Sequence, residues 1–289
     1  MSYQLFIDAT ADLSVKKAAE AGLNVIPMEY ALEGEVQQYL PGESGMPVPQ
    51  FYNGLRSGAG ATTSQINAFT FKDLFGPILE QGQDVLYMGF SSGLSGTVQA
   101  AGLAADELNA KYPGRRVAVV DTLCASLGEG LLVYTAGKKR LAGMELEELR
   151  LWLEENKHNL AHWFTVDDLN HLKRGGRVSA AAAAFGTALR IKPVLHVDDE
   201  GRLIPMEKVQ GRKKALKKLV DKMEETFIPE KNDVIFIGHG DCLEDAERVK
   251  DDVRERFGVK EIYIDFIGPI IGAHSGPGTV ALFYYGAKR

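Results

Sequence analysis

Residues 84–101 have the sequence Asp-Val-Leu-Tyr-Met-Gly-Phe-Ser-Ser-Gly-Leu-Ser-Gly-Thr-Val-Gln-Ala-Ala. The apolar run from Val85 to Phe90 is typical of a strand covered on both faces, and an alanine-rich helix is predicted to begin at Ser95. Such a strand, loop and helix form the repeating unit of an α/β sheet. In these sheets ligands bind beyond the carboxyl ends of the strands, where the loop from Ser91 to Thr97 is expected.

This loop is suited to binding a carboxylate or a phosphate. A helix start presents unpaired backbone N–H groups and the positive end of the helix dipole, and the serine and threonine hydroxyls add neutral donors. No lysine stands in the loop, so it is not a P-loop. Residues 60–65 and 268–278 form two further loops rich in glycine and hydroxyl groups. Each loop alone fits ordinary turn and capping chemistry, whereas three together favour one shared site.

The first half of the chain alternates between strand and helix patterns. Strands are predicted at Tyr3–Asp8, Asn24–Glu29, Val85–Phe90 and Arg116–Asp121, and helices at Ser14–Ala21, Val48–Arg56, Phe71–Gln81, Ser95–Lys111, Ala125–Leu141 and Glu145–Lys157. Repeated units of this kind predict a doubly wound, mostly parallel sheet.

A second unit begins near residue 158. Its predicted strands are Leu160–Val166, Lys192–Val197, Arg202–Val209, Asp233–Gly238, Glu261–Ile267 and Thr279–Tyr285, and its predicted helices are Asp167–Lys173, Ser179–Phe185, Arg212–Phe227 and Leu243–Phe257. We therefore predict two α/β domains, residues 1–157 and 158–289, with the ligand site at their junction.

Composition narrows the class of protein. The 289 residues are 45% hydrophobic and carry a net charge of −6, which argues against a nucleic-acid-binding protein. No apolar run reaches the roughly 20 residues of a membrane span, and the first strand begins almost at the N-terminus, so a cytoplasmic location is expected. Cys124 and Cys242 lie far apart without metal-ligand spacing, so no metal site is predicted.

Motifs for catalysis are missing from the sequence. It contains neither G-x-S-x-G nor GxxxxGK[ST]. His158 and His162 have a spacing that can bind metal but fall at or beside a strand, and His239 is expected in a loop. No serine of the three loops has a base placed by sequence, and an unactivated hydroxyl is a poor nucleophile. The pattern favours binding over turnover, with no catalytic residue. The basic run from Arg212 is either a solvated helix face or a docking surface.

Six motifs, in order, carry a resemblance to a known family: Asp8-Ala-Thr-Ala-Asp12-Leu, Thr62-Thr-Ser-Gln65, Ser91-Ser-Gly-Leu-Ser-Gly-Thr97, Val120-Asp-Thr122, Leu172-Lys-Arg-Gly-Gly-Arg177 and Ile267-Gly-Pro-Ile-Ile-Gly-Ala-His-Ser-Gly-Pro-Gly278. Together they resemble the DegV family, which includes the fatty-acid-binding subunits of bacterial fatty acid kinase. The resemblance runs from residue 5 to about 285. Ala9 departs from the family pattern, which usually has a serine there.

The resemblance implies a two-domain carrier that buries a long acyl chain and holds its carboxylate at the domain junction. By motif, Thr63 and Ser95 would hydrogen-bond the carboxylate, and Arg177 and His274 would complete the polar network. The loops around them would be supported by Thr62, Ser64, Gly96, Thr97, Gly272 and Gly276. The protonation of His274 is expected to be adjustable near neutral pH.

The resemblance also implies a partner. A separate ATP-dependent fatty acid kinase would phosphorylate the bound long-chain fatty acid to an acyl phosphate for phospholipid synthesis, and transient contact with a membrane is left open. No cofactor is expected besides the bound acid. Two alternatives remain: a hydrolase or transferase of an acyl or phosphorylated small molecule with Ser95 or His274 catalytic, and a regulatory ligand sensor that uses the same pocket.

Overall fold

The computed structural model describes residues 3–43, 45–179 and 191–289. In these residues the strands are β1 (Tyr3–Asp8), β2 (Leu23–Ile26), β3 (Met28–Leu32), β4 (Glu35–Tyr39), β5 (Ala61–Thr63), β6 (Asp84–Gly89), β7 (Val117–Asp121), β8 (Leu160–Thr165), β9 (Ile191–Val197), β10 (Leu203–Gln210), β11 (Val234–His239), β12 (Glu261–Phe266) and β13 (Val280–Tyr285). The α-helices are α1 (Val15–Glu20), α2 (Val48–Arg56), α3 (Ala68–Glu80), α4 (Thr97–Lys111), α5 (Ser126–Leu141), α6 (Leu146–Asn156), α7 (Asn170–Arg174), α8 (Arg212–Thr226), α9 (Leu243–Phe257) and α10 (Pro269–Ser275).

The first sheet is parallel throughout, as predicted. Its strand order is β2-β1-β6-β7, and each neighbouring pair is parallel. The middle strands are apolar along their length because both faces are covered, with Leu86 and Met88 fully buried. Helix α4 is the next element after β6 and packs against α3 and β7. The loop between β6 and α4 therefore lies at the carboxyl edge of this sheet.

A three-stranded antiparallel sheet, β4-β3-β5, was not predicted. The single strand expected at Asn24–Glu29 is two strands, because Pro27 interrupts it: proline has no N–H to donate to a strand ladder. The chain then turns at Glu33 and Gly34 and pairs β4 with β3. Residues 61–63, which lie in the loop predicted at residues 60–65, form the edge strand β5. This strand pairs with β3 from Tyr30 to Leu32.

The third sheet is mixed and contains all six strands predicted after residue 158. Its order is β10-β9-β8-β13-β11-β12, and only β11 and β12 are parallel among these neighbours. Helices α8 and α9 cover one face with buried side chains such as Leu219 and Val249. The predicted helix Ser179–Phe185 lies, apart from Ser179, outside the described residues.

Helix α5 packs between the third sheet and the turn that follows β1. A Cβ atom on Gly128 would lie 2.3 Å from Nε2 of His162, and one on Gly130 would lie 2.6 Å from the carbonyl oxygen of Ala11. These glycines let the helix approach both neighbours closely. The first two sheets end by Asp121 and the third begins at Leu160, and a domain boundary at 157/158 stays a prediction.

Helix α10 packs on the small antiparallel sheet, which lies far from it in the sequence. The sequence predicted a glycine-rich loop at residues 268–278, but Pro269 occupies the first helical turn, where its missing N–H costs nothing, and Gly276 ends the helix with a φ of 79°. The helix packs against α2, β3, β5 and α7, and Ile270 and Ala273 join the apolar cluster beneath the small sheet. The fold thereby brings residue 274 next to residue 63.

Candidate functional site

The four residues predicted to hold a carboxylate line one cavity. The cavity has a volume of about 250 Å³, and its lining includes Thr63, Ser95, Arg177 and His274. Most of the other lining side chains are apolar; they include Phe90, Leu94, Phe164, Leu172, Val197, Leu203, Ile267, Ile270, Ile271, Ala281 and Phe283. A mostly apolar pocket with a few converging polar groups is the usual form of a small-molecule site.

Thr63 and His274 are in direct contact. Thr63 is the last residue of β5 and His274 lies in the last turn of α10, and Oγ1 of Thr63 is 2.9 Å from Nε2 of His274. The half-buried guanidinium of Arg177 contacts the loop between β6 and α4 and the loop that follows α7. Its Nε donates to the carbonyl of Leu94 at 3.2 Å, and its Nη1 donates to the carbonyl of Gly175.

Arg177 determines the tautomer of His274. Nη1 of Arg177 is 3.5 Å from Nδ1 of His274, and because a guanidinium only donates, Nδ1 accepts. The ring proton is then on Nε2, which donates to Oγ1 of Thr63. The hydroxyl proton of Thr63 is left free for a ligand in the cavity.

His274 is neutral at physiological pH. Burial, followed by the charge of Arg177, lowers the pKa of His274 to about 4. This lowered pKa disagrees with the expectation that the protonation of His274 adjusts near neutral pH. A buried imidazole beside an arginine cannot take a second positive charge cheaply.

Ser95 is held by the start of α4. The backbone N–H of Thr97 donates to Oγ of Ser95 at 3.2 Å, and the two side-chain oxygens are 3.0 Å apart. When the hydroxyl of Thr97 donates to Ser95, the proton of Ser95 is free for a ligand. No imidazole contacts Ser95 among the described residues, and His274 is engaged with Thr63, so the geometry does not form a nucleophile and base pair.

The six supporting residues divide into two groups. Ser64 and Gly96 line the cavity, and Thr62 lines an adjoining groove. The other three do not line the cavity. Thr97 is buried next to Ser95, and Gly272 and Gly276 leave space for the side chains of Tyr52 and His171.

Four hydroxyl side chains that the sequence did not assign to the site also line the cavity: Thr10, Ser126, Ser275 and Thr279. Oγ1 of Thr10 contacts Oδ1 of Asp8 and lies 2.9 Å from Oε2 of Glu129. Ser126 donates to Oδ2 of Asp12 at 2.5 Å. The pairing of Asp8 and Thr10 in the first motif was the available signal.

The carboxyl groups that contact Thr10 and Ser126 are fully buried. Burial raises the pKa of Asp8, of Glu129 and of Asp12, the last to about 8. Thr10 has one hydroxyl proton and contacts two carboxyl groups, so one of the two acids carries a proton. Burial thus disfavours the charged forms of the carboxyl groups in this part of the wall.

The described residues hold no group of three or more His, Cys, Asp or Glu side chains able to bind a metal ion. Within the same ranges no helix combines the length and apolarity needed to cross a membrane.

Comparisons with known proteins identify the family of the chain. A model of the DegV family, described as uncharacterised proteins, matches residues 2–287. The chain belongs to the DegV family. It is 43% identical over 288 residues to a DegV domain-containing protein of Clostridium perfringens, covering 99% of this chain and 98% of that protein. A relative from Lactococcus lactis is 37% identical over 291 residues, covering 100% and 99%.

Solved structures of DegV proteins share the whole fold. The structure reporting fatty acid binding by a DegV family protein from Thermus thermophilus matches with a TM-score of 0.87 and 32% identity, covering 99% of this chain and 100% of that one. DegV of Bacillus subtilis, described as a fatty acid binding protein, matches with a TM-score of 0.81 and 27% identity over 98% of each chain.

Proposed function

We propose that this protein is a fatty-acid carrier that buries a long acyl chain in the cavity and holds its carboxylate at Thr63, Ser95, Arg177 and His274. One observation carries the proposal: a guanidinium and two free hydroxyl donors converge at a cavity that is otherwise mostly apolar. A buried carboxylate is costly unless it is hydrogen-bonded, and these groups supply the bonds. The fatty acids bound by the relatives from Thermus thermophilus and Bacillus subtilis support the same ligand class.

The acyl chain supplies most of the driving force. Each buried methylene contributes about 0.8 kcal/mol, so about 14 of them give roughly 11 kcal/mol before entropic losses. Neutral donors and one arginine are then sufficient for the head group. The neutral state of His274 suits this role, because an imidazole N–H orients Thr63 without adding a charge.

The proposal extends to the fate of the ligand. A partner ATP-dependent fatty acid kinase would act on the presented carboxylate. A carboxylate oxygen would attack the γ-phosphorus of ATP, the bond to the bridging oxygen of ADP would break, and acyl phosphate and ADP would leave. In this proposal the groups that carry out phosphoryl transfer belong to the partner, and Thr63, Ser95, Arg177 and His274 hold and present the carboxylate.

Extraction of the purified protein with organic solvent and mass analysis tests the carrier role. We expect a bound acid of about C14 to C18, and uptake of added oleate or palmitate by protein stripped of ligand. Recovery of no acyl chain and no uptake of either acid would refute the proposal. Addition of a fatty acid kinase and ATP then separates a carrier, which yields acyl phosphate, from a sensor, which does not.

A further inference from the structure

An open groove of about 760 Å³ adjoins the cavity. Thr63, Arg177 and His274 line both spaces and so form their shared boundary. Gly58 and Gly60 line the groove as well, and a Cβ atom on either would meet no other atom within 4 Å. A group attached to a carboxylate at the boundary therefore has room on the groove side.

The groove is rich in nitrogen donors. His171 and Arg174 line it together with the two boundary residues Arg177 and His274, and Asp168 is the one acidic side chain among the lining residues that the structure describes. Oδ1 of Asp168 accepts from the backbone N–H of Asn170 at 2.9 Å. Among the described lining residues, Arg174 and Arg177 against Asp168 leave a net positive charge, whereas the whole protein has a net charge of −6.

Neither arginine has a carboxylate partner among the described residues. Nη2 of Arg174 is 2.9 Å from Nδ1 of His171, and Arg177 contacts two carbonyls and His274. The carboxylate of Asp167, next in the chain to Asp168, is paired with Lys192 at 2.8 Å instead. An unpaired guanidinium at a groove is available for an anionic ligand.

His171 is held in a fixed orientation with its second nitrogen protonated. Because Arg174 donates to Nδ1, the ring proton is on Nε2. A Cβ atom on Gly276 would lie 2.5 Å from Cδ2 of His171, so the ring occupies the space that this glycine leaves.

We propose that this groove is a subsite for the phosphate group of an acyl phosphate, with Arg174 supplying charge and His171 an N–H donor. The inference rests on the proposed carrier function and assigns the groove to its product. Phosphorylation adds one negative charge to the head group, and an apolar cavity does not accept a dianion. The planar guanidinium of Arg174 matches two phosphate oxygens. The fatty acid itself ends at the boundary and needs neither residue.

The test compares two ligands with the same acyl chain. One is palmitate, and the other is 2-oxoheptadecylphosphonate, in which a methylene replaces the hydrolysable bridging oxygen of palmitoyl phosphate. Arg174→Gln is expected to weaken phosphonate binding by about tenfold or more and to leave palmitate binding within about twofold. The matched control is Lys173→Gln, which removes one positive charge from the same helix at an exposed position outside the groove lining. It is expected to change neither affinity.

The outcomes separate the two proposals. If the parent protein binds neither ligand, the carrier function fails. If all variants bind palmitate alike, two results would overturn the groove assignment and leave the carrier function standing. In the first, Arg174→Gln binds the phosphonate like the parent. In the second, Arg174→Gln and Lys173→Gln weaken phosphonate binding equally. Palmitate-loaded protein is also titrated with inorganic phosphate, to test whether the groove is a site for free phosphate. If inorganic phosphate binds with an affinity that accounts for the whole gain of the phosphonate over palmitate, the assignment to an acyl phosphate is overturned.

Discussion

A Cβ atom on Gly175 would lie 2.3 Å from Nδ1 of His274. The φ of Gly175 is −70°, which any residue adopts, so the backbone does not require glycine at this position. The requirement comes from the imidazole, which occupies the space beside α7 and from there orients Thr63. A residue without a side chain thus positions a donor of the candidate carboxylate site.

Substitution of Gly175 by alanine should therefore act on the ligand site. The added methyl group displaces His274 from Thr63, and we expect affinity for palmitate to fall about threefold to tenfold while the protein stays folded. Gly102→Ala is the matched control, because a Cβ there meets nothing within 4 Å and alanine favours the helix. Ligand titration with both variants checks this prediction. Equal affinities would show that His274 does not orient the donor.

Removal of either free hydroxyl should weaken binding. Thr63→Ala and Ser95→Ala each delete one donor to a buried carboxylate, which costs about 1–3 kcal/mol of binding free energy. The two losses should not add, because both bonds go to one group. Thr63→Ser keeps the hydroxyl and should retain most of the affinity. A double variant that binds palmitate like the parent would refute the head-group assignment.

The sequence predicted the sheets where the apolar pattern was continuous. The apolar run from Val85 to Phe90 predicts β6, and the strands predicted at Lys192–Val197 and Arg202–Val209 are found as the antiparallel pair β9 and β10. The small sheet had no such local pattern: β5 has three residues and reads as a hydroxyl-rich loop, and its pairing with β3 depends on contacts distant in sequence.

For the site, the sequence predicted several of the residues but not their contacts. Motifs identified Thr63 and His274, but not that they are 2.9 Å apart, since their contact requires α10 to pack on the small sheet. Glu129 stands in the first turn of α5, where an acidic residue normally faces solvent and the helix dipole. Its carboxyl group instead contacts Thr10 in the turn after β1, against which α5 packs, and no local pattern encodes that packing.

Asp12 should give the folding stability a distinctive pH dependence. Its Oδ1 accepts from the N–H of Gly268 at 2.9 Å and its Oδ2 from Ser126, and burial raises its pKa to about 8. The folded state therefore holds a proton on Asp12 that the unfolded state loses near pH 4. The contribution of Asp12 to stability should be fully present below that pH and be lost as the pH rises toward 8, by up to about 1.4 kcal/mol per pH unit.

Asp12→Asn isolates this contribution. The amide keeps an acceptor for Gly268 and cannot ionise, so the variant should lose part of the slope; Asp8 and Glu129, whose pKa values are also raised, supply the rest. Denaturant unfolding between pH 4 and pH 8 measures both curves. Parallel curves would mean that Asp12 titrates normally in the folded protein.

Arg177 and His274 should matter more for phosphoryl transfer than for ligand retention. Arg177 keeps its charge at all relevant pH values and contacts no carboxylate among the described residues, so it can neutralise the carboxylate and then the additional charge of the acyl phosphate. His274 links it to Thr63. The measurement is kinase-dependent acyl phosphate formation with Arg177→Ala and His274→Ala proteins already loaded with palmitate, expressed per loaded molecule so that any loss of affinity is separated from the rate. We expect rates lower by about tenfold or more, and parental rates would assign both residues a structural role in the loop and α10.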